Sequence, residues 1–312
     1  MMSNINGLNK IGVEVKVTDR CNQNCFYCVN RDGGSGGKDL DHVLFVERLR
    51  EWRDSAENSA WEIEEVRMTG GEPLLNDSGV MAIAAGCRST GMISGINTNG
   101  SLLTKDIACR LRDAGMRVVK ISLDTLDADT FKRIHGPETL LENSLNGVRV
   151  SMDAGFQVII RFTLSRLNKH ELVRCYGYAA SVGASKFQVK PLIAAGRGRT
   201  CGERLSRGEL SDVIRDFSNE VRETSTVPEI LCFPPEEAFG LRAKACGSIQ
   251  KIYISTGGQV CVCNFLSGGV FGELSSQSLE EILDARSLST RTEPYLENRV
   301  LSGCPQYEKD CG

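Results

Sequence analysis

Cys21-Asn22-Gln23-Asn24-Cys25-Phe26-Tyr27-Cys28 sets three thiols on one short loop at C-x3-C-x2-C spacing. Iron–sulfur cubes are ordinarily held by four cysteines. Three ligands leave one iron with open positions, and an open metal position is where chemistry takes place. Structural zinc fits the spacing less well, because it favours paired C-x2-C arms or histidines at set intervals. An aromatic residue, Tyr27, stands directly before the third cysteine. Just upstream, the alternating segment Ile11-Gly12-Val13-Glu14-Val15-Lys16-Val17 reads as a strand that delivers the loop.

Downstream of the loop, a Gly/Ser stretch over 33–37 leads to a helix over 39–55 with an apolar face of Leu40, Val43, Leu44 and Leu49. Strands follow near 63–68, 91–97, 117–123, 156–163 and 185–191, with helices over 78–90, 105–114, 128–154 and 169–182 between them. Such alternation predicts a parallel sheet with right-handed crossovers. A closed eight-stranded barrel takes ~250 residues. Here six units are complete by residue 193, which predicts an α/β fold with a partial (β/α)6 barrel over 1–193. Residues 194–245 open with Ala194-Ala195-Gly196-Arg197-Gly198-Arg199 and read as a linker or flap, then a helix at 209–223 and a strand around 230–233. Residues 246–312 read as a small separate module.

Composition excludes several classes. An apolar fraction of 41% and a charged fraction of 25% are those of a globular protein, and no run approaches a membrane span. Residues 1–10 are polar and lack a signal core, so 13 cysteines imply a reducing, cytoplasmic setting in which thiols serve metals or catalysis. A net charge of −3 argues against a nucleic-acid partner.

Polar motifs recur where predicted strands end, at the rim where β/α folds place active sites. Thr69-Gly70-Gly71-Glu72-Pro73 offers two glycines for close backbone approach to a ligand and a carboxylate that can pair with an ammonium group. Asn97-Thr98-Asn99-Gly100 supplies side-chain amides and a tight turn. In Ser122-Leu123-Asp124 the two polar residues share a face. Arg161 in the fifth strand and Lys190 at the end of the sixth add cations, and His135 reads as a helix-end residue.

Taken together, these motifs resemble the radical S-adenosylmethionine (SAM) superfamily along most of the chain. The resemblance implies a [4Fe–4S] cluster on Cys21, Cys25 and Cys28, with SAM beside it. Gly70, Gly71 and Glu72 would receive the amino group of SAM. Tyr27, Asn97, Asn99, Ser122, Asp124, Arg161 and Lys190 would surround its other parts or the substrate. Relatives commonly carry Ile-Arg-Gly where this chain has Ile134-His135-Gly136, which leaves that arginine's role unfilled.

In the last third, Lys251 to Cys263 alternates around Gly257-Gly258, a hairpin turn that sets Cys261 and Cys263 on one face of the returning strand. With Cys246, Cys304 and Cys311 this stretch resembles SPASM/twitch modules. That implies a second, auxiliary [4Fe–4S] cluster on Cys246, Cys263, Cys304 and Cys311, saturated by protein and suited to electron transfer. A zinc knuckle on the same four is the alternative. Cys87, Cys109 and Cys175 read as small core residues. Cys232 and Cys261 are either buried or hydrogen-atom donors at the barrel mouth.

The family's chemistry implies reductive SAM cleavage, with flavodoxin or ferredoxin as reductant, and hydrogen abstraction from an unactivated carbon. The size of the chain resembles that of enzymes that epimerise or dehydrogenate aminocyclitol and aminoglycoside antibiotics, so a sugar-like small molecule is the expected substrate. A ribosomal peptide is the alternative, although only ten residues precede the first strand and a leader-binding domain is not expected. The molybdenum-cofactor enzyme with a similar barrel is set aside because its chain typically ends in Gly-Gly and this one ends Cys311-Gly312. A non-catalytic iron–sulfur electron carrier would have no need of the Gly-Gly-Glu-Pro or Ser-Leu-Asp stretches.

Overall fold

In strand β1 (Asn9–Thr18) the odd positions Ile11, Val13, Val15 and Val17 are buried, while Glu14 and Lys16 between them take the opposite face. The computed structural model describes residues 9–30, 37–55, 61–221, 229–232, 242–243, 251–261, 263 and 270–288, with 9, 229–232, 242–243 and 286–288 described as backbone only. Strands β2 (Trp61–Gly70), β3 (Ile93–Thr98), β4 (Val118–Ser122), β5 (Gln157–Leu164) and β6 (Lys186–Pro191) add in chain order, every neighbour parallel. The crossovers are α1 (His42–Ser55), α2 (Asp77–Thr90), α3 (Lys105–Ala114), the pair α4 (Ala128–His135) and α5 (Leu140–Asp153), and α6 (Leu172–Ser181). Phe45, Leu49, Ile83, Leu111, Phe131 and Cys175 from these helices join the apolar side of the strands in one core.

Local chemistry sets the helix ends. Asn76 caps α2 by accepting from the Gly79 N–H at 3.2 Å, and Asp127 caps α4 through the Thr130 N–H at 2.8 Å. Helix α1 starts later than the sequence suggests. Residues 38–40 instead lie along the end of β1, with Leu40 N–H bonded to Val17 O at 2.9 Å, and Asp41 caps the helix through Leu44 N–H. The apolar face shifts accordingly to Phe45, Val46, Leu49 and Trp52, and Val43 is 59% exposed.

The six-strand barrel does not end the sheet. Helix α7 (Arg207–Val221) is followed by β7 (Glu229–Cys232), parallel to β6, and by β8 (Arg242–Ala243). On the other side β9 (Lys251–Ile254) lies parallel to β1, and β10 (Gln259–Cys261) and β11 (Val270–Glu273) continue antiparallel before α8 (Leu279–Leu288). The order β11-β10-β9-β1-β2-β3-β4-β5-β6-β7-β8 leaves the sheet open, an extended partial barrel. Its hydrogen bonding therefore runs across both boundaries drawn at 193 and 245, because β1 and β6 each have an edge that another strand can cover. No helix among the described residues is long and apolar enough to cross a membrane.

Candidate functional site

The cysteine loop leaves the end of β1 and is fastened from four sides. At β2, the Gly71 N–H donates to Thr18 O at 2.8 Å, the Glu72 N–H to Arg20 O at 2.7 Å, and Asn30 Nδ2 to Gly70 O at 3.0 Å. A Cβ on Gly71 would fall 2.1 Å from Arg20 O, and one on Gly70 would fall 2.6 Å from Thr18 O. In this structure the two glycines admit the backbone of the loop itself. At β3, Asn99 Nδ2 donates to Asn22 Oδ1 at 2.8 Å and Asn22 Nδ2 to Ser101 Oγ at 2.9 Å. At the end of α4, the Asn24 and Phe26 N–H groups donate to His135 O and Ile134 O at 2.9 and 3.0 Å.

The fourth fastening corrects the reading of 194–199 as a linker or flap. Ala195 is 1% exposed, and the Arg197 N–H donates to Cys28 O at 3.1 Å. Arg197 Nη1 also donates to Asn24 Oδ1 at 2.7 Å and Cys25 O at 3.2 Å. Gly196 has φ +52, and a Cβ there would lie 2.6 Å from Cys28 O. Small residues read locally as flexible are required here by close packing on the cysteine loop.

Cys21, Cys25 and Cys28 are thiols in no disulfide, and all three are half-buried. Burial pushes the Cys25 thiol well up, and the Cys28 and Cys21 sulfurs and Asp124 push it further. A thiol raised in this way needs a positive centre to become a thiolate ligand, and an iron–sulfur cluster supplies one. Among the described residues no three His, Cys, Asp or Glu side chains converge on a single-ion position. The donor set of soft thiols fits the cluster.

Behind Cys25 lies a residue whose part the sequence did not reveal. His135 is 2% exposed, with Nδ1 3.2 Å from Cys25 Sγ and Nε2 3.4 Å from Asp124 Oδ2. Burial holds the imidazole below its ordinary value, against the pull of Asp124. Asp124 itself accepts from Tyr27 OH and from the Thr163 N–H at 2.6 Å. With Cys25 as a thiolate ligand, Nδ1–H is the donor, and hydrogen bonds to sulfur raise a cluster's potential. Replacing His135 with Leu is expected to move the cluster's midpoint to more negative potential at unchanged iron content. A redox titration followed by electron paramagnetic resonance checks this; an unmoved midpoint would leave the ring a packing role only.

The other sequence candidates are brought to the same rim, and several are engaged by the chain itself. Glu72, expected to offer a carboxylate to an ammonium group, is fully buried. It accepts from Leu74 N–H at 3.1 Å, Thr98 Oγ1 at 2.7 Å and Asn99 N–H at 2.8 Å. Burial raises its pKa, and these three donors oppose the rise. An ionised carboxylate has about four lone-pair sites, so it still has room for one ammonium proton while it ties β2 to β3. Ser122 accepts from Arg161 Nη2 at 3.2 Å, Asn97 is 7% exposed, and Lys190 is half-buried on β6.

Asn168 was not anticipated. Its Oδ1 accepts from Ser165 N–H and Oγ, and its Nδ2 donates to Asp124 O and Thr163 O at 2.9 and 3.0 Å. That amide locks the ends of β4 and β5 together. A Ser-x-x-Asn turn after a strand is its only trace in the sequence.

Toward the other edge, Cys261 pairs with Tyr253, which pairs with Glu14, so all three share the polar face of the sheet. Strand β10 ends at Cys261, and Cys263 lies beyond it rather than on the strand. Cys232 is the last residue of β7, opposite Val189, with its side chain not described. Cys246, Cys304 and Cys311 lie outside the described residues, as do the stretches 31–36 and 233–241. Cys87 and Cys175 are buried as expected, while Cys109 is half-buried.

The chain is 29% identical over 273 residues to a GTP 3',8-cyclase of Klebsiella pneumoniae subsp. pneumoniae, covering 83% of this chain and 81% of that protein. It is 25% identical over 316 residues to an AdoMet-dependent heme synthase of Methanosarcina barkeri, covering 95% and 88%. Among solved structures it resembles Streptococcus suis SuiB bound to S-adenosylmethionine, with TM-score 0.73 at 14% identity over 93% of this chain and 68% of that one. It also resembles anSMEcpe with bound AdoMet, with TM-score 0.69 at 12% identity over 92% and 83%. The model of the radical SAM superfamily matches residues 15–178, more than half of the chain. That span contains the cysteine loop and the first five strand ends that surround it, and the chain belongs to the radical SAM superfamily.

Proposed function

We propose that this chain cleaves SAM reductively and directs the resulting radical to a sugar carbon of a small molecule. Three thiols on a loop fastened from four sides are the observation that carries the reading. A [4Fe–4S] cluster, when bound, supplies the electron that releases methionine and a 5′-deoxyadenosyl radical from SAM. Cys21, Cys25 and Cys28 would hold the cluster, three thiols for a group ordinarily held by four. Glu72, Asn97, Asn99, Ser122, Asp124, Tyr27 and the Gly70-Gly71 backbone would line the SAM side and orient it, with Arg161 and Lys190 facing its carboxylate or the substrate.

The substrate class rests on the relatives' names. A GTP 3',8-cyclase joins a primed, ribose position to the base, so similarity to it supports a sugar carbon as the site of hydrogen abstraction. It also returns the molybdenum-cofactor enzyme that the chain's ending had set aside, since GTP 3',8-cyclases serve molybdenum-cofactor biosynthesis. Epimerisation or dehydrogenation would follow according to how the substrate radical is quenched. Burial and the Glu273 carboxylate raise the Cys261 thiol, which keeps its hydrogen available for donation; Cys232 is the other candidate. An auxiliary cluster on Cys246, Cys263, Cys304 and Cys311 would accept an electron instead.

Anaerobic reconstitution with iron, sulfide, dithionite and SAM is expected to yield 5′-deoxyadenosine and about eight iron atoms per chain, two cubes' worth. No 5′-deoxyadenosine under any condition would refute the cleavage. About four iron atoms would remove the auxiliary cluster.

A further inference from the structure

Below the rim, the polar face of the sheet holds cations that the fastening network does not use. Arg67 on β2 lies opposite Glu14 on β1 and Gly95 on β3. It is 7% exposed and ion-paired with Glu65, yet its Nε and Nη1 are buried with no hydrogen-bond partner among the described residues. Gly95 leaves it space, since a Cβ there would lie 3.5 Å from Arg67 Cζ. Two residues along β3, Asn97 buries an unpartnered Oδ1.

Two further cations share this face by register: Lys251 on β9 lies opposite Gly12, two residues before Glu14 on β1, and Arg161 on β5 lies opposite Ser122 on β4, two residues beyond Lys120, which lies opposite Asn97. Burial, against the pull of Glu14, lowers Arg67 to about 10, and the Arg161 guanidinium from β5 adds to the fall. Burial also lowers Lys251 on β9, again with Glu14 opposing and Arg67 reinforcing. Glu14 and Glu65 thus face Arg67, Arg161 and Lys251, an excess of positive charge in a buried place. Buried guanidinium N–H groups without acceptors are costly, and their planar fork matches a phosphate or carboxylate. Arg67 stands three residues before the end of β2, about 10 Å below the rim at ~3.3 Å per residue. The cysteine loop and Glu72 sit at the rim itself.

We infer that Arg67, with Arg161 and Lys251, receives an anionic group, phosphate or carboxylate, of the molecule from which hydrogen is taken, and not the carboxylate of SAM. This rests on the proposed function and names the chemistry of its substrate.

The test uses the reconstituted full chain loaded with SAM and inorganic pyrophosphate as the probe, followed by anaerobic calorimetry. Pyrophosphate is expected to bind with SAM present, at least tenfold more weakly after Arg67→Met, with Arg67→Lys recovering part of the loss. Lys251→Met gives the same reading if Arg67→Met does not fold. Binding unchanged by both variants, or no binding of pyrophosphate or citrate to the wild type, overturns the inference. Displacement of pyrophosphate by SAM also overturns it, because the site would then serve SAM's own carboxylate. Wild-type SAM cleavage measured in the same preparation separates the failures. Absent 5′-deoxyadenosine refutes the proposed function, whereas cleavage with Arg67-independent binding refutes only the anion site.

Discussion

Cys25→Ala is expected to reduce 5′-deoxyadenosine formation by roughly a thousandfold or more, the largest effect of any single substitution in this chain. Cys25 is the middle thiol of the loop, and its sulfur is the one contacted by His135. Removing it leaves two loop thiols for a cluster whose remaining iron must already serve SAM. The apo chain should unfold at nearly the wild-type temperature, because the thiol is half-buried and the loop's fastenings are backbone groups and the side chains of Asn22, Asn30, Asn99 and Arg197. Iron content and visible absorbance of the reconstituted protein, together with chromatography of the nucleoside product, check both halves. Product formed at wild-type rate would remove Cys25 from the ligand set.

Gly71→Val should lose cluster binding by a different route. A Cβ at this position meets Arg20 O at 2.1 Å, Arg20 C at 2.5 Å and Asp19 O at 2.8 Å, all of them backbone. Backbone cannot swing aside as a flexible side chain can, so the first residues of the cysteine loop must move away from β2. The hydrogen bonds from Gly71 N–H to Thr18 O and from Glu72 N–H to Arg20 O would break with that movement. The cost is about 2 kcal/mol or more, accompanied by lower iron retention. Gly177→Ala is the matched control, since nothing lies within 4 Å of a Cβ there and helix α6 gains a better former. Thermal unfolding with iron analysis compares the two; equal stability and iron content would mean that the approach of β2 to the loop is not needed.

How far the chain could be read in advance depended on the range of the interaction. Strands β1 to β6 were legible because one face of each is apolar and the other polar, a period-two signal contained in a few residues. The C-x3-C-x2-C loop was legible for the same reason, all its thiols being local. The edges of the sheet were not, since nothing within 251–254 says that it will pair with β1 some 240 residues earlier. Arg197 and Gly196 were misread because their partners, Asn24, Cys25 and Cys28, are about 170 residues away. His135 was correctly placed at a helix end, but its ring's position between Cys25 and Asp124 arises only when α4 packs against the loop.

The amino-acid sequence by itself determined the parallel β/α architecture, the three-thiol loop and the rim on which the polar residues gather, because periodicity and spacing are properties of neighbours in the chain. Only the tertiary structure decided what those polar residues bond to. Glu72 and Asp124, legible as carboxylates at strand ends, are turned by packing into anchors for Asn99, Thr98, Tyr27 and Thr163. Arg67 gains meaning only where Glu14, Arg161 and Lys251 meet it. Burial makes every unpaired donor or charge costly, and it is created by long-range packing that no local stretch of sequence contains.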